Sequence, residues 1–221
     1  MKKIILGALA ALLSTTTVFA QHYRESRFYN QNTNRLDYSD SRYFGFRVGL
    51  AFTTVNSDDA LLDGGSTKTG LNIGVAAGFP VTYSAPLFIE TGLYYTEKGG
   101  NGSTTGKKFK YNLDYLEVPI VFKYKYNVDN HFAVEPFLGG YLALGVGGKI
   151  KNFGDRKAYS SFGDEDYTFQ RFDGGLKLGV GASYDLFYAE LAYDLGLSNI
   201  CHDDFDASHN RALFLNVGVN F

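Results

Sequence analysis

The stretch CHDDFDASHN, residues 201–210, holds the densest set of potential metal ligands in this sequence. Imidazole and carboxylate groups are typical ligands of divalent cations. The groups in question are His202, Asp203, Asp204, Asp206 and His209. Their spacing matches no defined metal-binding motif, and a solvated loop often has the same composition. They are therefore weak candidates for a metal site, and we expect no metal and no cofactor.

Nucleophilic catalysis needs a serine or cysteine within reach of a base. The four histidines are His22 in a polar N-terminal stretch, His131 beside a short turn, and His202 and His209 in the stretch just described. None falls on an apolar strand face beside a serine. We therefore predict that the protein is not an enzyme.

A second set of chemically active side chains lies inside segments that are otherwise apolar. Charged residues of both signs occur there at positions that alternate with the apolar ones, interleaved with many of the 26 glycines. They are Arg47, Glu90, Glu117, Lys123, Lys125, Glu135, Lys177, Glu190 and Asp194. Four cations and five anions in one confined space would neutralise one another, so we predict a buried charge network.

The segments that carry these charges alternate apolar and polar residues with a period of two, which is the period of a β-strand. Eight such segments occur, at residues 44–52, 71–79, 87–95, 116–126, 132–144, 172–184, 187–195 and 213–221. The composition agrees, because 17 Tyr and 19 Phe against one Met favour strands over helices. The pattern predicts an all-β protein with eight strands.

The connections between these segments alternate between long and short. Residues 53–69, 97–112, 149–171 and 198–210 are long and polar, whereas residues 80–86, 127–130 and the junction at 184–185 are short. In an up-and-down barrel, successive connections lie at opposite rims, so all the long ones share one rim. Transmembrane barrels show this asymmetry. We therefore predict an eight-stranded antiparallel up-and-down transmembrane β-barrel.

The apolar face could point to a protein core or to lipid. The interior of an eight-stranded barrel is just wide enough for its own side chains, and the Phe and Tyr side chains of the apolar face are too many to fit there. Glycines and paired charges suit the interior better, so the apolar face is predicted to face lipid. Aromatic residues next to the short turns and at the C-terminus would then form an interfacial girdle: Phe44, Phe79, Tyr126, Phe132, Tyr184, Phe187 and Phe221.

The N-terminal residues MKKIILGALAALLSTTTVFA have the layout of a secretory signal peptide, with two lysines, a short apolar run and small residues near position 20. We predict a signal peptide at residues 1–20, a polar tail at residues 21–42, and one barrel domain at residues 43–221. A net charge of −2 offers no electrostatic footprint for nucleic acid. Export and a lipid-facing barrel together predict the outer membrane as the location.

Four stretches resemble the PorT-like outer-membrane β-barrel family of Bacteroidetes. They are GLYYTEKGG at residues 92–100, YLEVPIVFKYKY at residues 115–126, GGLKLGVGASYDLFYAELAYDLGLSNI at residues 174–200, and the closing FLNVGVNF. The resemblance extends over residues 43–221. It implies an outer-membrane barrel and no catalytic residues, and through the namesake of the family it suggests a link to secretion. It also supports recognition of the C-terminal aromatic by the outer-membrane insertion machinery.

The sequence predicts a barrel with a plugged polar lumen and a structural or interaction-mediating role through its external loops. The expected partners are the outer-membrane bilayer, the insertion machinery during assembly, and a protein at the external loops, with no nucleic acid. Three alternatives remain: a narrow transport channel, an exported soluble ligand-binding barrel, and a lipid-modifying outer-membrane enzyme that uses Ser, His and a carboxylate.

Overall fold

The computed structural model describes residues 29–30, 35–36, 42–57, 67–82, 84–104, 107–153, 157–163, 168–201 and 207–221. Eight long strands make up the fold: β1 (Tyr43–Ser57), β2 (Lys68–Pro80), β3 (Leu87–Thr104), β4 (Lys107–Tyr124), β5 (Phe132–Gly147), β6 (Phe172–Tyr184), β7 (Phe187–Gly196) and β8 (Ser208–Asn220). The predicted signal peptide lies outside the described residues, as does most of the predicted tail.

Five short strands accompany the eight. Tyr29–Asn30 and Arg35–Leu36, from the predicted tail, pair with each other as a separate two-stranded sheet. Tyr126–Asn127 pairs with the start of β5. Lys149–Lys151 pairs with both β4 and Tyr159–Ser160. Lys149–Lys151 and Tyr159–Ser160 therefore extend the sheet at the rim that carries the predicted long connections.

The eight strands close into a barrel in which each strand pairs antiparallel with its neighbours in sequence. Pairing of β8 with β1 closes the ring, from Ser208 opposite Ser57 to Asn220 opposite Gly45. Backbone hydrogen bonds between Phe44 and Phe221 continue this seam, at N···O distances of 2.8 and 2.9 Å. The predicted eight-stranded antiparallel fold is confirmed.

Strand alternation places one set of side chains in the barrel interior and the other on its outer surface. The interior holds aromatic rings as well as the expected charges and glycines. A Cβ atom built on Gly78 would overlap the Tyr43 ring, and one built on Gly181 would overlap the Tyr188 hydroxyl. These two glycines therefore leave space that the aromatic rings of Tyr43 and Tyr188 occupy.

One of the four predicted long loops is a hairpin. Residues 97–104 and 107–112 continue β3 and β4 in register, from Glu97 opposite Asp114 to Thr104 opposite Lys107. The prediction of a long loop was wrong here. Gly, Asn, Ser and Thr are common in turns and loops, but in this stretch backbone hydrogen bonds between β3 and β4 hold them in strands. The hairpin extends the wall of the barrel at the long-connection rim.

Large apolar side chains cover the outer surface of the barrel wall. Each of the eight strands carries some of them, such as Leu50, Val75, Leu93, Ile120, Leu138, Leu178, Leu191 and Leu215, which are between 43% and 60% exposed. A continuous exposed apolar surface of this kind marks an interaction site or a membrane-facing band. No helix in the described residues is long and apolar enough to cross a membrane.

Candidate functional site

The barrel interior gathers the charged side chains of many strands into two groups. We call Arg47, Glu90, Lys123, Lys125 and Glu135, near the short-turn rim, the turn-side cluster. We call Lys98, Glu117, Asp173, Lys177 and Asp194, halfway along the interior, the mid-barrel cluster. All except Lys125 are buried. Eight of the nine predicted network residues fall in these clusters, and the ninth, Glu190, lies beside them.

The turn-side cluster is organised around Lys123 on β4. Its Nζ lies 2.7 Å from Glu90 Oε2 and 3.7 Å from Glu135 Oε2. Arg47 NH2 lies 3.8 Å from the same Glu90 oxygen, and Lys125 Nζ lies 3.7 Å from Glu135 Oε1. Each cation of this cluster is thus within ion-pair distance of a carboxylate.

Tyrosine side chains complete this cluster. The Tyr43 hydroxyl donates to Glu90. Lys123 Nζ donates to the Tyr188 hydroxyl at 2.7 Å, and the Arg47 guanidinium lies 3.8 Å from the centre of the Tyr188 ring. A cation over an aromatic face is attracted by the ring quadrupole, most strongly where water is absent. The tyrosines therefore stabilise the cations and fill the lumen between them.

The mid-barrel cluster is organised around Lys98 on β3. Its Nζ lies 2.9 Å from Glu117 Oε2, 3.2 Å from Asp194 Oδ2 and 3.4 Å from Asp173 Oδ2. Lys177 Nζ also contacts two of these carboxylates, at 3.1 Å from Glu117 Oε1 and 2.6 Å from Asp194 Oδ1. Two lysines thus hold three carboxylates from β4, β6 and β7 together across the interior.

Lys98 and Asp173 were not among the predicted network residues. The sequence places Lys98 in a stretch rich in glycine that reads as a loop, and Asp173 lies close to the end of a long connection. Both side chains are completely buried, at 0% exposure. Their positions in the strands were the signal that could have found them. Lys98 is an even number of residues from the inward-facing Glu90 on β3, and Asp173 is an even number of residues from the inward-facing Lys177 on β6.

Polar side chains link the two clusters. The Tyr188 hydroxyl donates to Glu190 at 3.0 Å, and Asn216 donates to the other Glu190 oxygen at 2.7 Å. Asn72 donates to Asn216 at 3.0 Å and accepts from the Thr96 hydroxyl at 2.7 Å. A cavity of about 20 Å³ lies beside these hydrogen-bonded side chains. It has room for roughly one water molecule.

An apolar cap lies over the mid-barrel cluster at the long-connection rim. We use the name aromatic cap for the buried residues Val55, Phe109, Tyr111, Leu113, Tyr115, Tyr141, Ala143, Ile150, Phe162, Phe169, Ile200 and Cys201. The Tyr111 and Phe169 rings stack at a centroid distance of 5.2 Å, and Tyr115 meets Phe162 edge to face at 5.5 Å. Phe162 and Phe169, which lie between β5 and β6, thus contribute their rings to the cap.

The predicted girdle residues lie on the outer surface near the short-turn rim or the end of β8. Phe44, Phe79, Tyr126, Tyr184 and Phe187 are exposed, and Phe132 and Phe221 are half-buried. Tyr184 pairs directly with Phe132 on one side and Phe187 on the other. Aromatic rings at such a level suit a membrane–water interface.

Most of the candidate metal ligands, namely His202, Asp203, Asp204 and Asp206, lie outside the described residues. His209 is described, and its Nδ1 lies 2.9 Å from the Ser198 carbonyl oxygen. In the described ranges, no group of three or more His, Cys, Asp or Glu side chains could hold a metal ion.

The short-turn rim carries an exposed polar turn between β4 and β5. Asp129 Oδ1 accepts hydrogen bonds from the backbone N–H groups of His131 and Phe132, both at 2.7 Å. These bonds favour the charged carboxylate and lower the pKa of Asp129. Their stabilisation is therefore present above the ordinary Asp pKa of about 3.9 and is lost as the pH falls through the lower folded-state value.

A family model described as outer membrane protein β-barrel domain matches residues 19–202 of the chain. The match covers the predicted tail and all barrel strands except β8. No curated protein sequence matches the chain.

Solved structures of several outer-membrane proteins resemble the chain. The attachment invasion locus protein Ail of Yersinia pestis is 16% identical, with 81% of this chain and 98% of that chain covered and a TM-score of 0.43. A major outer membrane protein from Thermus thermophilus is 15% identical, with coverages of 81% and 99% and a TM-score of 0.49. OprG from Pseudomonas aeruginosa is 12% identical, with coverages of 81% and 95% and a TM-score of 0.44. Identities this low carry no information on what this chain binds.

Proposed function

Because this chain belongs to the family of outer membrane protein β-barrel domains and resides in the outer membrane, we propose that it acts through contacts at its long-connection rim and not through its lumen. Long connections face the cell exterior in barrels of this kind. The hairpin of β3 and β4 and the sheet extension at Lys149–Lys151 project from this rim. They are the surfaces on which we place a protein partner.

The observation that carries the proposal is the filling of the lumen. Two ion-pair clusters and the aromatic cap occupy successive levels of the interior, and the cavity between the clusters is about 20 Å³. A conducting pore needs a continuous wet path. The packing supports a plugged barrel over a narrow transport channel. The cavity between the clusters is also far smaller than the pocket of an ordinary ligand, which measures about 300–1,000 Å³.

We also propose that the protein is not an enzyme. Lys98, Lys123 and Lys177 form ion pairs with carboxylates inside the barrel. These lysines and carboxylates therefore bind one another and not a substrate. The resemblance to PorT-like proteins is the sole support for a link to secretion, and that link remains a prediction.

Planar bilayers test the plugged lumen. Purified protein at single-molecule density is expected to give no steady ion current across the voltage range in which porins conduct. A variant with Phe162→Ala and Phe169→Ala is measured beside the unmodified protein. It lacks two rings of the aromatic cap but keeps every strand residue, so the comparison shows whether the current depends on the cap. Steady single-channel conductance of the unmodified protein would replace the proposal with the channel alternative.

Shortening the hairpin tests the rim. Residues 103–108 are replaced by Asn-Gly, a pair that favours the two-residue hairpin turn, so that Gly102 and Phe109 remain opposite each other. The variant is expected to insert and fold normally but to lose proteins that co-purify with the unmodified chain from outer membranes in mild detergent. An unchanged set of co-purifying proteins would exclude the tip of this hairpin, residues 103–108, as the contact surface.

The C-terminal residue tests the role of the insertion machinery. Phe221→Ala keeps both backbone hydrogen bonds to Phe44 and removes only the ring. A girdle ring that is half-buried contributes little to stability, so refolding into detergent should change little. If the insertion machinery recognises the terminal aromatic, membrane-inserted protein in cells should fall several-fold. Phe79→Ala, another girdle residue, is the control and should insert normally. Equal insertion of both variants would contradict the prediction.

A further inference from the structure

Four lysines share the outward face of the sheet at the long-connection rim. Phe109 and Ile150 point into the aromatic cap, so their neighbours Lys108, Lys110, Lys149 and Lys151 point outward, and all four are exposed. We call these four lysines the outer basic face. The backbone pairing of β4 with Lys149–Lys151 holds them on one surface.

We propose that the outer basic face binds the phosphate groups of an anionic glycolipid in the outer leaflet. The proposal goes beyond the function given above. It shares with that function the placement of the long-connection rim outside the cell and part of the surface, because the four lysines lie on the β3–β4 hairpin and on Lys149–Lys151. Three features support it: the register of the lysines, the absence of a described carboxylate within ion-pair distance of them, and their position above the apolar band.

The register brings like charges together. Lys110 stands directly opposite Lys151 in the antiparallel ladder. Side chains at directly opposed positions have Cβ atoms about 4.5–5.5 Å apart, and like charges placed there are destabilising. A bound anion between the two ammonium groups would turn this repulsion into attraction.

The described residues offer these lysines no counter-charge. None of the four forms an ion pair with a described carboxylate. On the outward face of β4 the next carboxylate is Asp114, four residues from Lys110, which at about 3.3 Å per residue is roughly 13 Å away. A multivalent anion from outside the chain would supply the missing charge.

The position of the face identifies the source of the anion. On β4 the outward series runs from the exposed apolar residues Ile120, Val118 and Leu116 up to Lys110. Six residues separate Leu116 from Lys110, about 20 Å along a strand that tilts by roughly 40°. The lysines therefore lie beyond the hydrocarbon region, at the level of lipid headgroups and their attached sugars. Basic clusters at this level attract anionic lipid headgroups.

The test measures binding of fluorescent diphosphorylated lipid A to the refolded protein in neutral detergent micelles. In the test variant all four lysines become glutamine, and in the matched control all four become arginine, which keeps the charge. We expect affinity to fall at least tenfold in the glutamine variant, to be retained in the arginine variant, and to weaken with added salt for the unmodified protein. The heat-modified gel shift checks that each variant is folded.

Equal affinity of the glutamine variant and the unmodified protein would overturn the proposal. So would equal binding of lipid A from which the phosphates have been removed. Two further probes separate the sources of anion: inorganic phosphate alone and a soluble heparin fragment. Tighter binding of either one than of diphosphorylated lipid A would show that the face recognises a soluble anion and not a membrane glycolipid.

Discussion

Replacing Lys98 by methionine is expected to lower the free energy of unfolding by about 3–5 kcal/mol, the usual cost of removing one partner from a buried ion pair. Lys98 Nζ lies within 3.4 Å of three carboxylates, those of Glu117, Asp173 and Asp194. Methionine keeps most of the length of the lysine side chain but not the charge. Lys177 still pairs with Glu117 and Asp194, so Asp173 loses the only ion-pair partner that the described residues give it.

The effect is measured by reversible denaturant unfolding in lipid vesicles, with the heat-modified gel shift as a second readout. Lys108→Met is the matched control, because Lys108 is exposed on the outer surface and surface substitutions usually change stability by no more than about 0.5 kcal/mol. Glu117→Ala and Lys177→Ala are expected to behave like Lys98→Met. A water-filled pore would screen these charges. If the lumen variants were no less stable than Lys108→Met, the plugged lumen would have to be abandoned.

Placing arginine in the middle of the apolar band is the second large perturbation. Leu178→Arg or Val118→Arg should each cost about 2–4 kcal/mol, as arginine does at the midplane of a bilayer. Leu178 lies in the centre of β6, opposite Leu138 and Tyr193 on the neighbouring strands. It is 44% exposed. Arginine would fit there sterically, so the expected loss comes from the lipid and not from a clash.

Thr69→Arg is the control, because Thr69 is an exposed residue near the long-connection end of β2. The cost of arginine falls to about 0–1 kcal/mol near the interface, so this variant should be nearly as stable as the unmodified protein. Unfolding in vesicles of defined thickness measures both. Similar costs at Leu178 and Thr69 would contradict a lipid-facing band. Recovery of the native protein as a detergent-free monomer would support the exported soluble barrel instead.

Period-two alternation was sufficient to identify the eight strands. The residues of β8 show why: Leu213, Leu215 and Val217 lie outside, and Ala212, Phe214 and Asn216 lie inside, as the alternation of a strand requires. Because every segment obeys the same local rule, eight strands could be identified without knowing their partners. The charge of the inward positions also gave eight of the ten members of the two ionic clusters.

The prediction was least accurate where contacts join residues far apart in sequence. Glycine-rich composition at residues 97–112 favoured a loop, but pairing between β3 and β4 made it a hairpin. Phe162 and Phe169 lie in a polar connection, where nothing local indicates burial, yet both are buried in the aromatic cap. Their burial depends on Tyr111 and Tyr115, which reach the same place from another strand.

The sequence by itself determined the strands, their order around the barrel and which face meets lipid, because these follow from alternation and from short connections between neighbours. Only the tertiary structure decided which lysine meets which carboxylate and which rings pack together in the aromatic cap. Lys98 and Asp173 are 75 residues apart in the chain, and no local pattern relates them. They meet because closing the barrel brings β3 and β6 to opposite sides of one narrow interior, in which a buried charge must find a partner.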